Sequence, residues 1–449
     1  MPRRSPFRLT FRPRAALGAL AAFAALAASG TASAQNLQAL YDAARGYDAT
    51  YLAARAQADS AQYANEQVKA LNRPSVSLTA GSAKFKTDEP GDFPTASGTN
   101  TDAQVSALQP LFNRTNSVTI DQADRAFQAA MADLALAEQD LILRVTEAYF
   151  NVLAAQDALG TTRANKTAIA EQLASAKRNF EVGTATITDT REAQARYDLA
   201  IAQEIAAEND LSVARIALDR VVGRQGVEPT PLATPVQLPP VAPSSMEPWV
   251  SQAEVSPSVR KARLSYDVAT LETEKARAGH LPTVDAVGSY AANRNSGRIV
   301  SGIEGTTKQA RIGVQLNLPL FAGFSVQNRI RETLLLEERS RNDLESTRRT
   351  ADQATRQAFL TVQSGAATVR ALEAAEASNQ LALEATQLGY KVGVRVNIDV
   401  LNAQTQLYTT QRDLQRARYD VILNTLRLRQ AAGTLNPADV TEANRLIRP

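Results

Sequence analysis

Arg311–Leu318 reads RIGVQLNL, in which Ile312, Val314, Leu316 and Leu318 alternate with Arg311, Gly313, Gln315 and Asn317. A period of two belongs to a β-strand with one apolar and one polar face. Val76, Leu78 and Ala80 interleave in the same manner with Ser75, Ser77, Thr79 and Gly81, as do Ala103, Val105 and Ala107 with Asp102, Gln104 and Ser106. Thr283–Tyr290 carries a fourth, less regular version. The spacing predicts strands at about 75–86, 101–111, 282–292 and 308–320, in two pairs joined by polar loops rich in Gly, Asn, Thr and Asp.

On either side of the strands the periodicity is helical. Ala, Gln, Leu, Glu and Arg dominate 36–72, 116–223, 246–279 and 324–432. Leu141, Val145, Ala148, Val152, Ala155 and Leu159 step by four and three, the seam of one helix packing on another at a shallow angle. A helix from Asn116 to Phe180 would run for roughly 65 residues, about 100 Å, far longer than a compact domain is wide. Such a length implies a rod or a tube. The helices alone would also fit an extended coiled-coil scaffold, against which the strands argue. Strands of about ten residues with opposite faces suit a transmembrane β-barrel, although a soluble pair of hairpins would alternate likewise. Four strands cannot close a barrel and open edges are not tolerated in lipid, so several chains would each contribute four.

The two strand pairs end alike. VSALQPLFNR (Val105–Arg114) and VQLNLPLFAG (Val314–Gly323) both close on Pro-Leu-Phe, and both pairs begin near a proline, Pro74 and Pro282. Proline at a strand boundary stops ladder pairing without breaking an interior bond. FEVGTATITDTREAQ (Phe180–Gln194) returns as YKVGVRVNIDVLNAQ (Tyr390–Gln404), and Gly223 returns as Gly433, each displaced by about 210 residues of the 449. The chain reads as a tandem duplication of helix, two strands, long helix, turn and long helix. The first repeat covers 35–223 and the second 249–433, with a proline-rich linker at 224–248 and a tail at 434–449. Gly183 and Gly393 suit the left-handed residue that stops a helix, while Thr188 or Asp189 and Asn397 or Asp399 suit the cap of the next. Each repeated stretch is then the bend of a helical hairpin.

Composition removes most catalytic classes. There is no cysteine for a disulfide, thiolate metal site or thiol nucleophile, and His280 is the only histidine. Triad chemistry and multi-histidine metal sites are disfavoured, so neither an enzyme nor a bound cofactor or metal is expected. His280 reads as a structural residue at a helix-to-strand junction and Trp249 as packing. Phe85, Phe112, Tyr290 and Phe321 lie near strand ends and fit either an interfacial girdle or ordinary packing. Lys+Arg 49 against Asp+Glu 46 leaves a net charge of +3, which gives little support to a nucleic-acid partner. Arg3, Arg4, Arg8, Arg12 and Arg14 precede AALGALAAFAALAA and the small-residue site Ala32-Ser33-Ala34, the pattern of a cleaved export signal at 1–34. No cysteine follows to take a lipid anchor, and no later apolar run of about 18 residues offers a spanning helix, so membrane insertion would use strands.

Through ALQPLFNR and LNLPLFAG, VGTATITD, YKVGVRVNIDVLNAQTQLY and AAGTLNPAD, the chain resembles the TolC-type outer-membrane efflux proteins, or channel-tunnel family, over nearly all of its length beyond the export signal. The resemblance implies a mixed, mainly α fold: long helical hairpins forming a periplasmic α-barrel, and four strands per chain in a transmembrane β-barrel. It also implies a homotrimer with a twelve-stranded barrel in outer-membrane lipid, and a helical tunnel reaching into the periplasm. Such a trimer is a passive exit duct for drug efflux or type I protein secretion, working with a periplasmic adaptor (membrane fusion) protein and an inner-membrane transporter driven by protons or ATP. A periplasmic coiled-coil scaffold or adaptor without pore activity is the alternative, and a diffusion porin is disfavoured by the excess of helix.

The same resemblance assigns roles at the hairpin bends. Tyr390 and Arg395 of an inner hairpin would bond to Asp189 and its preceding Thr188 in an outer hairpin, holding the periplasmic entrance shut. The plainer alternative is that Asp189 caps a helix and Arg395 is solvated. Three copies of Asp399 around a narrow pore would form a carboxylate ring that attracts cations, unless Asp399 too is only a cap. Family members often carry a second aspartate one turn later, where this chain has Asn402, which weakens the expected filter.

Overall fold

The computed structural model describes residues 36–87, 96–233, 236, 238–298 and 305–447; the expected export signal and the middles of both strand-connecting loops lie outside them. In the first half, α1 (Leu37–Tyr47) and α2 (Ala49–Lys69) lead into β1 (Ser75–Thr87) and β2 (Ala96–Phe112), followed by α3 (Arg114–Glu181) and α4 (Ile187–Val222). The second half runs α5 (Glu247–Ala253), α6 (Pro257–Ala278), β3 (Thr283–Arg298), β4 (Gly305–Asn317), α7 (Ser325–Lys391) and α8 (Asn397–Ala431), and α9 (Pro437–Asn444) ends the chain. Among the described residues no helix is long and apolar enough to cross a membrane.

The strands form one antiparallel sheet in the order β1-β2-β3-β4. Two of them run further than their alternation announced, β2 starting at Ala96 and β3 continuing to Arg298, while β4 covers Gly305–Asn317 and stops short of Pro319. The added residues are mostly Ser, Thr, Asn and Gly, with Ala96, Arg294 and Arg298, so polar or small residues stand on both faces and hide the period while the ladder continues. β1 and β4 are the sheet's two edges, and each is paired on one side only.

α3 and α7 have 68 and 67 residues, so each is about 100 Å long at the usual rise. α4 and α8, with 36 and 35 residues, span about half that distance, and the remaining helices less. Next to the sheet the packing order is α2, α3, α6, α7; beyond it, α4, α3, α8, α7. The segments 36–72 and 246–279 are therefore not single helices. Asp48 breaks the first, turning to an extended conformation and accepting from the amide of Tyr51 at 2.8 Å; Ser256, ahead of Pro257, breaks the second. Gly223, at the end of α4, meets Tyr47 at the end of α1, and Gly433, just past α8, meets Ser256 and Pro257 at the start of α6. Paired half-helices thereby fill the space beside each unbroken long one.

The main core sits at that mid-height junction. Leu40 and Tyr41 of α1, Tyr149, Phe150 and Leu153 of α3, Leu218 of α4 and Ile422 of α8 are buried together. The linker and chain end close over it: Leu232 bridges Ile447, and the Tyr149 hydroxyl donates to the carbonyl of Thr230 at 2.7 Å. Trp249 is buried against Phe359, Val362 and Leu428, its indole N–H donating to the Pro243 carbonyl at 2.9 Å. The Tyr419 hydroxyl donates to Asp157 at 2.5 Å, and burial pushes the Asp157 carboxyl up. Asp48 behaves oppositely. The Arg144 guanidinium holds it in two bonds of 2.7 and 3.0 Å and lowers its carboxyl below the usual range.

Two outcomes follow from the junction. At Gly223 φ is 74° and a Cβ would lie 2.3 Å from the Tyr47 ring, whereas at Gly226 φ is 71° with nothing within 4 Å. Gly223→Ala therefore carries backbone strain plus a clash and is expected to cost about 2–4 kcal/mol, against roughly 1 for Gly226→Ala; comparing their denaturation midpoints with wild type checks this. Asp48 has a folded-state pKa below its unfolded one, so its stabilisation is complete above the ordinary carboxylate pKa of about 3.9 and is lost as the pH falls through the folded value. Arg144→Met is expected to lower stability at neutral pH and to flatten the acid limb of a stability-versus-pH curve.

Candidate gate at the helical hairpin tips

At each tip the chain reverses by the same hydrogen bonds. After α3, Val182 N–H donates to Arg178 O, Gly183 N–H to Phe180 O, and Thr184 and Ala185 N–H both to Asn179 O. After α7, Val392 donates to Leu388, Gly393 to Tyr390, and Val394 and Arg395 both to Gly389. Gly183 and Gly393 have φ of 80° and 81° with open space around them, so the left-handed backbone alone requires glycine there.

The restart of the following helix differs between the two tips. Thr186, not Thr188 or Asp189, is the N-cap of α4: its hydroxyl accepts from the Asp189 N–H at 3.2 Å, and the Asp189 carboxylate accepts from the Thr186 N–H at 2.9 Å. That reciprocal pair is a capping box. Val396 stands at the equivalent point of α8 and has no side-chain acceptor, so Asn397 and Asp399 fall inside the helix and do not cap it. Asp399 is left with a 3.5 Å approach from the Val396 N–H and a 3.7 Å contact to the exposed Arg395 guanidinium.

Within one chain the four residues assigned to the latch do not meet as assigned. Thr188 is exposed in the first turn of α4. The Tyr390 hydroxyl accepts from the Asn179 side chain at 3.1 Å, and Arg395 turns back to Asp399. What joins the two hairpins is a set of bonds in which Asn397, Asn402 and Asp189 meet residues the sequence reading does not single out, Gln172 and Arg196. Gln172 of α3 donates to Asn397, which donates in turn to the carbonyl of Asp189 at 3.4 Å, and Arg196 of α4 donates to the Asn402 amide oxygen at 3.0 Å. Beneath them Ile169, Leu173 and Ala176 of α3, Ala193 and Ala200 of α4 and Leu401 of α8 form a small apolar cluster. The signal was present as spacing: Gln172 and Asn179 lie seven apart, on the stripe of Ile169, Leu173 and Ala176, so they are polar residues on a packed seam.

The family model described as "Outer membrane efflux protein" matches residues 40–224 and 249–434, the two halves that end in these tips. The chain belongs to the outer membrane efflux protein family. The outer membrane protein TolC of Vibrio cholerae is 35% identical over 425 residues, covering 93% of this chain and 96% of that protein. The alkaline protease secretion protein AprF of Pseudomonas aeruginosa is 35% identical over 357 residues, covering 76% and 71%. Among solved structures, the outer membrane protein VceC of Vibrio cholerae superimposes with a TM-score of 0.77 at 18% identity, over 88% of this chain and 96% of that one, which shows the shared fold. This efflux-family chain is an outer-membrane protein whose long helices extend into the periplasm.

Asn397 is 2% exposed and ties the second hairpin to two half-buried groups of the first, so its loss leaves both without that partner. Asn397→Ala is expected to cost about 1–3 kcal/mol locally. The measurement is amide hydrogen exchange, which should quicken in 172–189 and 397–404 while exchange around the mid-height core stays at its wild-type rate.

Proposed function

We propose that three copies of this chain close a twelve-stranded barrel through the outer membrane and continue it as a helical tunnel, a passive exit duct for efflux or secretion. The observation that carries this reading is the sheet's pair of one-sided edges, β1 and β4. In hydrocarbon an unpaired row of N–H and C=O groups has no partner, so β4 of one copy must pair with β1 of the next until the ring closes. The helical layer leaves matching open flanks. Leu199, Ile205, Val213 and Ile216 are exposed along α4, and Leu335, Leu360 and Leu381 along α7, as apolar stripes awaiting a neighbour. A pore-free periplasmic scaffold would leave the two-faced sheet without a use.

The hairpin tips are the far end of this duct and are read as its gate. Nothing there performs bond chemistry, and the driving energy would come from an inner-membrane transporter, powered by protons or ATP and joined through a periplasmic adaptor. AprF, named for protease secretion, supports secretion as one such use. The resting latch is assigned to Tyr390 and Arg395 acting on Thr188 and Asp189 of an outer hairpin. Arg395 is 62% exposed and, among the described residues, is held by its 3.7 Å contact to Asp399, which leaves most of its donors for an acceptor on an adjoining hairpin. Exposed pairs of this kind contribute only about 0.2–1 kcal/mol each, so a docking partner can release them. Three copies of Asp399 would supply the carboxylate ring; Asn402, bound to Arg196, adds no charge to it.

Single-channel conductance of the purified protein in a planar bilayer tests both parts. A small, cation-preferring conductance is expected, with the preference fading in Asp399→Ala and the conductance rising in Tyr390→Phe/Arg395→Ser. Folded, oligomeric protein that never conducts would reject the duct. Wild-type conductance in the double variant would reject the latch and leave the duct standing.

A further inference from the structure

Following paired residues across the four strands separates two faces of the sheet. Val76, Leu78, Val105, Tyr290, Ile312 and Val314 share one of them. The opposite face mixes charges and polar groups, with Asp102, Asp285 and Arg311 among Ser, Thr, Gln and Asn, as a water-filled interior does. The two faces also differ in the sign of their charge.

Towards the strand-connecting loops the apolar face becomes basic. Lys308 pairs with Ala292, one rung beyond Tyr290; Arg294 lies a rung further, opposite Thr101 and Thr306; Lys84 lies a rung further still, opposite Thr99. All three side chains are exposed, and Lys86 continues the row on the same face. Among the described strand residues this face holds no Asp or Glu, because both strand carboxylates are on the other side. A merely solvated face would be expected to mix signs. The helices all leave from the opposite end of the sheet, which puts these cations at the outward end of the barrel. Tyr290, 51% exposed, marks the border below them, the position of an interfacial aromatic.

We propose that Lys84, Arg294 and Lys308 form a seat for phosphate-bearing lipid headgroups of the outer leaflet. The seat rests on the barrel reading above, since a closed barrel is what would turn this face of the sheet, with all three cations at its loop end, toward lipid. Lysine and arginine stems lie along apolar surface and carry their charged ends to headgroup level, where phosphate oxygens accept charge-assisted bonds. A headgroup with two phosphates can engage cations on adjacent strands at once, which a zwitterionic or neutral headgroup cannot match.

The test is native mass spectrometry of the detergent-solubilised full chain with lipid A, a bisphosphorylated glycolipid, and with the same lipid after dephosphorylation, run beside bilayer conductance. Wild type should bind the phosphorylated form preferentially. Lys84→Gln/Arg294→Gln/Lys308→Gln should weaken that binding by roughly 100-fold and Lys308→Gln alone by roughly fivefold, each cation near the surface being worth about that factor. Arg311→Gln removes a charge from the other face and should leave binding unchanged. Conducting wild type that binds both lipids equally, or a triple variant that binds like wild type, overturns the seat and spares the barrel. Wild type that neither assembles nor conducts overturns both.

Discussion

Everything in this molecule answers to the backbone groups of two strands. In the barrel proposed above, no water in the hydrocarbon satisfies an unpaired N–H or C=O, so β1 and β4 cannot remain edges there. On that reading the chain needs copies of itself, and the helical layer is laid out to match. Each strand hands over to a helix at the same end of the sheet, and four helices side by side continue the width that four strands began. The duplication supplies the arrangement economically, since one unit of two strands and one long hairpin, made twice, gives the whole sheet and both long helices.

Much of this was legible because period and punctuation agreed. RIGVQLNL and the Pro-Leu-Phe endings gave the strands, and the doubled Val-Gly bends gave the hairpins. The failures have physical causes. β2 and β3 outran their alternation because Ser, Thr, Asn and Gly sustain ladder bonds without marking a face. The break at Asp48 was hidden inside a helical composition, and only the side chain's bond to the Tyr51 amide and its ion pair with Arg144 reveal it. At the tips, spacing located the bends but not the partners. Spacing marks Gln172 and Asn179 as polar residues on a packed seam, but which residues they and Arg196 meet is set by the proximity of helices far apart in sequence.

The tips also show how one duplicated unit has diverged. The α4 start keeps a reciprocal cap in Thr186 and Asp189, while the α8 start has Val396 where a hydroxyl would serve. The second bend is thereby less tied to itself, and its Asp399 and Arg395 are freer to act on something else. In the gate proposed above, such asymmetry between repeats would let two similar hairpins take different parts.

The stacked half-helices at mid-height give the structure an uneven stiffness. α3 and α7 are unbroken beams from the sheet to the tips, whereas the paths through α4 and α2, and through α8 and α6, are each interrupted near Gly223 and Gly433. A beam resists bending along its whole length, but two rods meeting end to end bend where they meet. Compliance is therefore concentrated in one band, overlaid by the linker and the chain end. The hairpins beyond that band can twist while the sheet on its other side keeps its shape.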